Sequence, residues 1–159
     1  MRAIYQVDPE STGRFLAVET ILIVSDTESV RREVASVLDG PDIELLFATS
    51  GPDAIATVEA TLIDLVIADM QIGSMGGVAV CLELRLQASY DAIDETPVLL
   101  LLDRRADVFQ AKRSGADGWI VKPLDAMRIR AGVRTILQGD RYEDSSYQPL
   151  PVSVGDQSA

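Results

Sequence analysis

Five short runs of the chain are apolar almost without interruption, and five longer stretches between and after them are apolar only at helical spacing. The short runs are TILIVSD, IELLFAT, DLVIAD, TPVLLLLD and GWIVK. Their Val, Ile and Leu content and lack of polar alternation predict strands buried on both faces. The first helical stretch, SVRREVASVLDG, places Val30, Val34, Val37 and Leu38 on one side and stops at Gly40. GPDAIATVEAT follows the second strand, with Pro52 near its first turn. GVAVCLELRLQAS presents Val80, Leu84 and Ala88 on one face; ADVFQAKRSG is shorter and closes at Gly115; PLDAMRIRAGVRTILQG is last. Strand and helix therefore alternate, which predicts an α/β protein with a parallel sheet covered by helices on both faces. Residues 1–19, with Pro9 and Gly13, read as an N-terminal extension, 20–139 as the domain, and 140–159 as a polar, acidic tail expected to be mobile.

The strand-to-loop boundary in IDLVIADMQIGSMGG carries a chemical question, because the apolar run ends on a carboxylate, Asp69. Parallel sheets bind ligands at the carboxyl ends of their strands. Asp26 stands at that end of strand one and Lys122 at that end of strand five, just before Pro123. Each alone reads as a loop charge or a helix cap, Asp26 being placed to cap the first helix. Together, three charged groups from three strands meet on one rim. Two neighbouring carboxylates stay ionised when a cation sits between them. Oxygen ligands suit Mg²⁺, which needs only one or two carboxylates plus water. A carboxylate nucleophile, a magnesium site and a lysine make a site for accepting a phosphoryl group.

Composition narrows the classes. The net charge of −11 and pI of about 4.3 argue against nucleic acid and against an anionic membrane surface. The chain has no histidine and one cysteine, so no Ser-His-Asp or Cys-His triad can be built and Cys81 reads as a small buried hydrophobe. No phosphate-binding glycine loop follows strand one. With no long apolar span, the expectation is a cytoplasmic protein.

From 20 to 139 the chain resembles the receiver domain of bacterial two-component response regulators, on the blocks ILIVSD, ATSGPDAI, DLVIADMQIGSMGG, PVLLLL and GADGWIVKPL. The resemblance implies a flavodoxin-like, doubly wound five-stranded sheet of order 2-1-3-4-5. It implies Asp69 as phospho-acceptor, Asp26 and Asp69 as Mg²⁺ ligands with the backbone carbonyl of Gln71, Lys122 as the group pairing with the phosphoryl, and a cis Lys122–Pro123 bond. It also implies a signalling domain rather than an enzyme, fed by a histidine kinase or phosphotransfer protein.

Several positions set the chain apart from that family's usual pattern. Ser25 stands where a second acid is usual; its hydroxyl can hold a metal-bound water but adds no charge, so Mg²⁺ should bind weakly. Leu102 stands where a Thr or Ser hydroxyl bonds the phosphoryl oxygen. Trp119 holds the aromatic switch position, either as a switch or simply as a core or surface anchor. Ile72-Gly73 and Gly76-Gly77 replace a Pro-containing loop, which should be more flexible.

Two readings from different classes remain. One is a phosphorylatable receiver, favoured by Asp26, Asp69 and Lys122 together. The alternative is a pseudo-receiver, an interaction module working without phosphorylation, favoured by Leu102 and Ser25. About twenty residues follow the last helix, too few for a DNA-binding module, so the effect should pass through another protein. Arg104, Arg105, Lys112, Arg113, Arg128, Arg130 and Arg134 read either as solvated helix faces or as a docking face. In the second case, a downstream protein or a second copy would dock on the last strand and its flanking helices.

Overall fold

A computed structural model describes Gln6–Val7 and residues 15–147 of the 159. Five parallel strands form as the apolar runs predict: β1 (Glu19–Val24), β2 (Ile43–Ala48), β3 (Leu65–Asp69), β4 (Val98–Leu102) and β5 (Gly118–Val121). Helices α1 (Glu28–Leu38), α2 (Gly51–Ala60), α3 (Gly77–Ser89), α4 (Val108–Arg113, preceded by the 3-10 turn Arg105–Asp107) and α5 (Ala126–Leu137) connect or follow them. The order 2-1-3-4-5 is as expected, but the sheet has six strands: β6 (Tyr142–Glu143) adds in parallel to the outer edge of β5. The polar stretch expected to be a tail therefore begins as part of the sheet. Residues 148–159 lie outside the described residues. In the N-terminal extension, Gln6–Val7 and Phe15–Leu16 pair as a separate antiparallel ladder.

Period-two alternation along the strands divides the core. Leu22, Val24, Val66, Ala68, Val98, Leu100, Leu102 and Trp119 face α2, α3 and α4, packing on Ala54, Val58, Val80, Leu84 and Ala111. Ile21, Ile23, Leu65, Ile67, Leu99, Leu101 and Ile120 face α1 and α5, packing on Val34, Leu38, Ile129, Val133 and Ile136. Continuous apolar strands follow from this, since both faces are covered. Cys81 is buried, its thiol is pushed above the ordinary value by that burial, and it donates to Ser114 O at 3.5 Å. No helix among the described residues is long and apolar enough to cross a membrane.

Candidate phosphoryl-acceptor site

Register builds the site. Val24 pairs with Ala68, so Ser25 and Asp26 emerge beside Asp69; Asp69 pairs with Leu101 and Leu102 with Val121, so Lys122 emerges from the next strand pair along the rim. Asp69 is buried, with 2% of its surface exposed. Its Oδ1 accepts from Lys122 Nζ at 2.7 Å and from the Gln71 N–H at 3.4 Å. Its Oδ2 accepts from the fully buried Ser25 hydroxyl at 2.8 Å. Burial pushes the Lys122 ammonium down, but hydrogen bonds and charge from Asp69 and Asp103 more than reverse this, so it sits above the ordinary lysine value.

Asp26 lies on the same rim, exposed. It is not the helix cap: Thr27 is the N-cap of α1, and the Asp26 carboxylate accepts instead from Gly73 N–H at 3.0 Å and the Thr27 hydroxyl at 3.2 Å. That first contact ties the β3–α3 loop to the end of β1. Part of the loop expected to be flexible is packed. Ile72 is buried, and a Cβ on Gly77 would lie 2.5 Å from Asp69 O, so the glycine lets the helix start against β3. Gly77 thus answers a close approach rather than a need for a freer backbone.

On the other half of the rim, Leu102 is fully buried and Trp119 is 3% exposed, both in the cluster facing α2, α3 and α4. Lys112 Nζ stands 5.5 Å from the Trp119 ring centre. Sequence reasoning missed Asp103, whose Oδ1 takes a second bond from Lys122 Nζ at 2.9 Å. Its signal was in plain view, a carboxylate directly after an apolar strand. The seven basic residues do not make one face. Arg128 turns inward onto Asp125 and Asp144, Arg104 pairs with Asp107 at 3.1 Å, and Arg130 and Arg134 line a groove between α1 and α5. The outer edge of β5, expected as a docking surface, carries β6.

Among the described residues no group of three or more His, Cys, Asp and Glu side chains could hold a metal ion. A cation here would rest on two carboxylates, a backbone carbonyl and water, a donor set that suits Mg²⁺.

The comparisons agree with this fold. The family model for the response regulator receiver domain matches residues 21–134. Sensory transduction protein RegX3 of Mycobacterium tuberculosis is 30% identical over 128 residues, covering 79% of this chain and 54% of that protein. Response regulator PleD of Caulobacter vibrioides is 33% identical over 118 residues, covering 73% of this chain and 25% of that protein. The chain thus spans about half the length of RegX3 and a quarter of PleD. Among solved structures, chemotaxis response regulator CheY4 of Vibrio cholerae superposes with a TM-score of 0.66 at 27% identity, covering 74% of this chain and 98% of that one. The receiver domain of the response regulator NarL from Mycobacterium tuberculosis gives 0.67 at 26% identity, covering 77% and 98%. The chain belongs to the response regulator receiver domain family of two-component signal transduction.

Proposed function

We propose that this receiver accepts a phosphoryl group on Asp69 from a histidine kinase or phosphotransfer protein and signals, in the cytoplasm, through protein contacts. The observation that carries this is the setting of Asp69: a buried carboxylate at a strand end, with a lysine ammonium on one oxygen and a serine hydroxyl on the other. An Asp69 oxygen attacks the phosphorus of a phosphohistidine. The phosphorus–nitrogen bond breaks, and its electron pair returns to the imidazole, which takes a proton. Lys122 exchanges its hold on the carboxylate for the new phosphoryl oxygens. Asp26, Asp69 and the Gln71 carbonyl would hold Mg²⁺, which offsets the charge gathered on the transferring oxygens when bound. Ser25 adds a hydroxyl but no charge, so that binding is weak.

Incubation with a small phosphodonor and Mg²⁺ tests the reading: intact-protein mass should show one added phosphoryl group, absent in Asp69→Ala. The pseudo-receiver reading is favoured by one feature, the buried Leu102 where a phosphoryl-binding hydroxyl is usual. It prevails if wild type takes no phosphoryl group from any donor and Asp69→Ala binds its partner as well as wild type does.

A further inference from the structure

The two-residue strand β6 leaves a gap in the ladder. It pairs with Gly118 and Trp119 only, so the outward backbone groups of Val121, the residue before Lys122, have no strand partner. A side-chain pair fills the gap. The Asp144 carboxylate accepts the Val121 N–H at 3.1 Å, and Arg128 Nη1 donates to Val121 O at 2.9 Å. Arg128 Nη1 also donates to Asp144, and Arg128 Nη2 to Pro123 O, on the far side of Lys122. One guanidinium thus holds the carbonyls on both sides of the lysine, and Asp144, its side chain 1% exposed, holds the guanidinium.

The segment that delivers Asp144 is built to dock. Tyr142 N donates to Asp117 O at 2.9 Å, Arg141 Nη2 to Ala116 O at 2.9 Å, and the Ser146 hydroxyl to Asp144 Oδ1 at 2.6 Å. A Cβ on Gly118 would lie 2.6 Å from Tyr142 O, so only glycine lets the strand approach. Residues 141–146 also fall beyond the stretch matched by the family model, which ends at 134.

We propose that the Arg128–Asp144 pair is a positioning device for Lys122, so that docking of residues 141–146 on the β5 edge and binding of an oxyanion at Asp69 are coupled. Arg128 and Asp144 touch neither the carboxylate nor an incoming phosphoryl group; they act through the backbone that aims the lysine. With Leu102 supplying no hydroxyl, Lys122 carries more of the phosphoryl contact than a partnered lysine would. Linkage makes the coupling reciprocal: an anion that draws on Lys122 alters the hold on the docked segment by the same factor. The coupling to an oxyanion rests on the function proposed above; the positioning of Lys122 does not.

The chain's two lysines, Lys112 and Lys122, make the test selective. In the full chain labelled with ¹⁵N-lysine, with Lys122→Met for assignment, the exchange of each ammonium with water is measured. Asp144→Asn keeps an acceptor for Val121 N–H and removes the charge facing Arg128. It should speed Lys122 exchange by between about threefold and thirtyfold and leave Lys112 unchanged. Asp117→Asn is the control: that carboxylate accepts Val98 N–H at 2.8 Å and Arg85 Nη2 at 2.6 Å, the same chemistry at the other end of β5. It should lower the melting temperature without touching Lys122. Should Asp144→Asn not fold, Tyr142→Ala, which loosens the docked segment without altering an ion pair, should move Lys122 exchange in the same direction. In a second arm, the apparent affinity for beryllofluoride with Mg²⁺ should fall by a similar factor in Asp144→Asn while Mg²⁺ affinity holds. Lys122 exchange at the wild-type rate in Asp144→Asn, or an equal rise in Asp117→Asn, overturns the proposal. Wild type that binds no beryllofluoride overturns the phosphoryl reading instead, and the exchange arm still decides the positioning.

Discussion

The rim of the sheet has two unlike halves. Around β1 and β3, Ser25, Asp26 and Asp69 are polar and hydrogen-bonded. Around β4 and β5, the inward positions Leu102 and Trp119 are apolar and closed, and Lys122 is shared between Asp69 and Asp103. On the proposed function, the first half carries the groups that would accept a phosphoryl group. The second half, where a hydroxyl and a mobile aromatic would register its arrival, is packed as ordinary core. On that function, accepting a group and responding to it would be separable in one small sheet, because they would depend on different strands.

The largest effect should come from the accepting half. Asp69→Ala should abolish covalent labelling by a small phosphodonor, read by intact mass, with the fold kept by circular dichroism. Lys122→Met should slow labelling roughly a hundredfold, the scale expected for removing one group aimed at developing charge. Its melting temperature should hold; a large drop would make Lys122 a structural residue and erase the contrast.

Leu102→Thr bears on the responding half. The new hydroxyl enters a fully buried site, so chemical denaturation should show a loss of about 1–3 kcal/mol. In exchange, the change in Trp119 fluorescence on phosphorylation should grow. If the fluorescence response stays small while labelling proceeds normally, the closed packing of Trp119, not the missing hydroxyl, separates the halves.

Asp103→Ala should act more gently. It frees Lys122 from one of two partners in a partly exposed pair, worth at most about 1 kcal/mol, so beryllofluoride affinity should rise by up to about fivefold. Acid titration gives the smallest signal. Burial pushes the Asp144 carboxyl up, but hydrogen bonds from Ser146, from the Val121 and Ser146 backbone and from Arg128 more than reverse this, holding it below the ordinary aspartate value. A carboxylate held low contributes stability above its unfolded value and loses it as pH falls through the folded one. The melting-temperature gap between wild type and Asp144→Asn should therefore be full at neutral pH and narrow below about pH 4. A gap independent of pH would mean that packing, not charge, holds the segment.

Much of this was legible in the residues alone. The five core strands, their helices, and the meeting of Asp26, Asp69 and Lys122 on one rim followed from apolar runs that end on charged residues. Strand burial and chain connectivity leave few other arrangements. The sequence also marked Ser25 and Leu102 as departures, since residue type alone decides whether a hydroxyl or a charge is present. What it left undecided depends on contacts between residues far apart in the chain. Glycines after Asp69 suggested freedom, yet helix α3 starting against β3 uses Gly77 for fit. Arg128 counted as one more surface cation until α5 turned it toward Asp144, sixteen positions on. The stretch after 139 has too little apolar periodicity to signal a strand. Its place was decided by an open sheet edge with backbone groups to satisfy, a glycine that lets it approach, and one buried carboxylate.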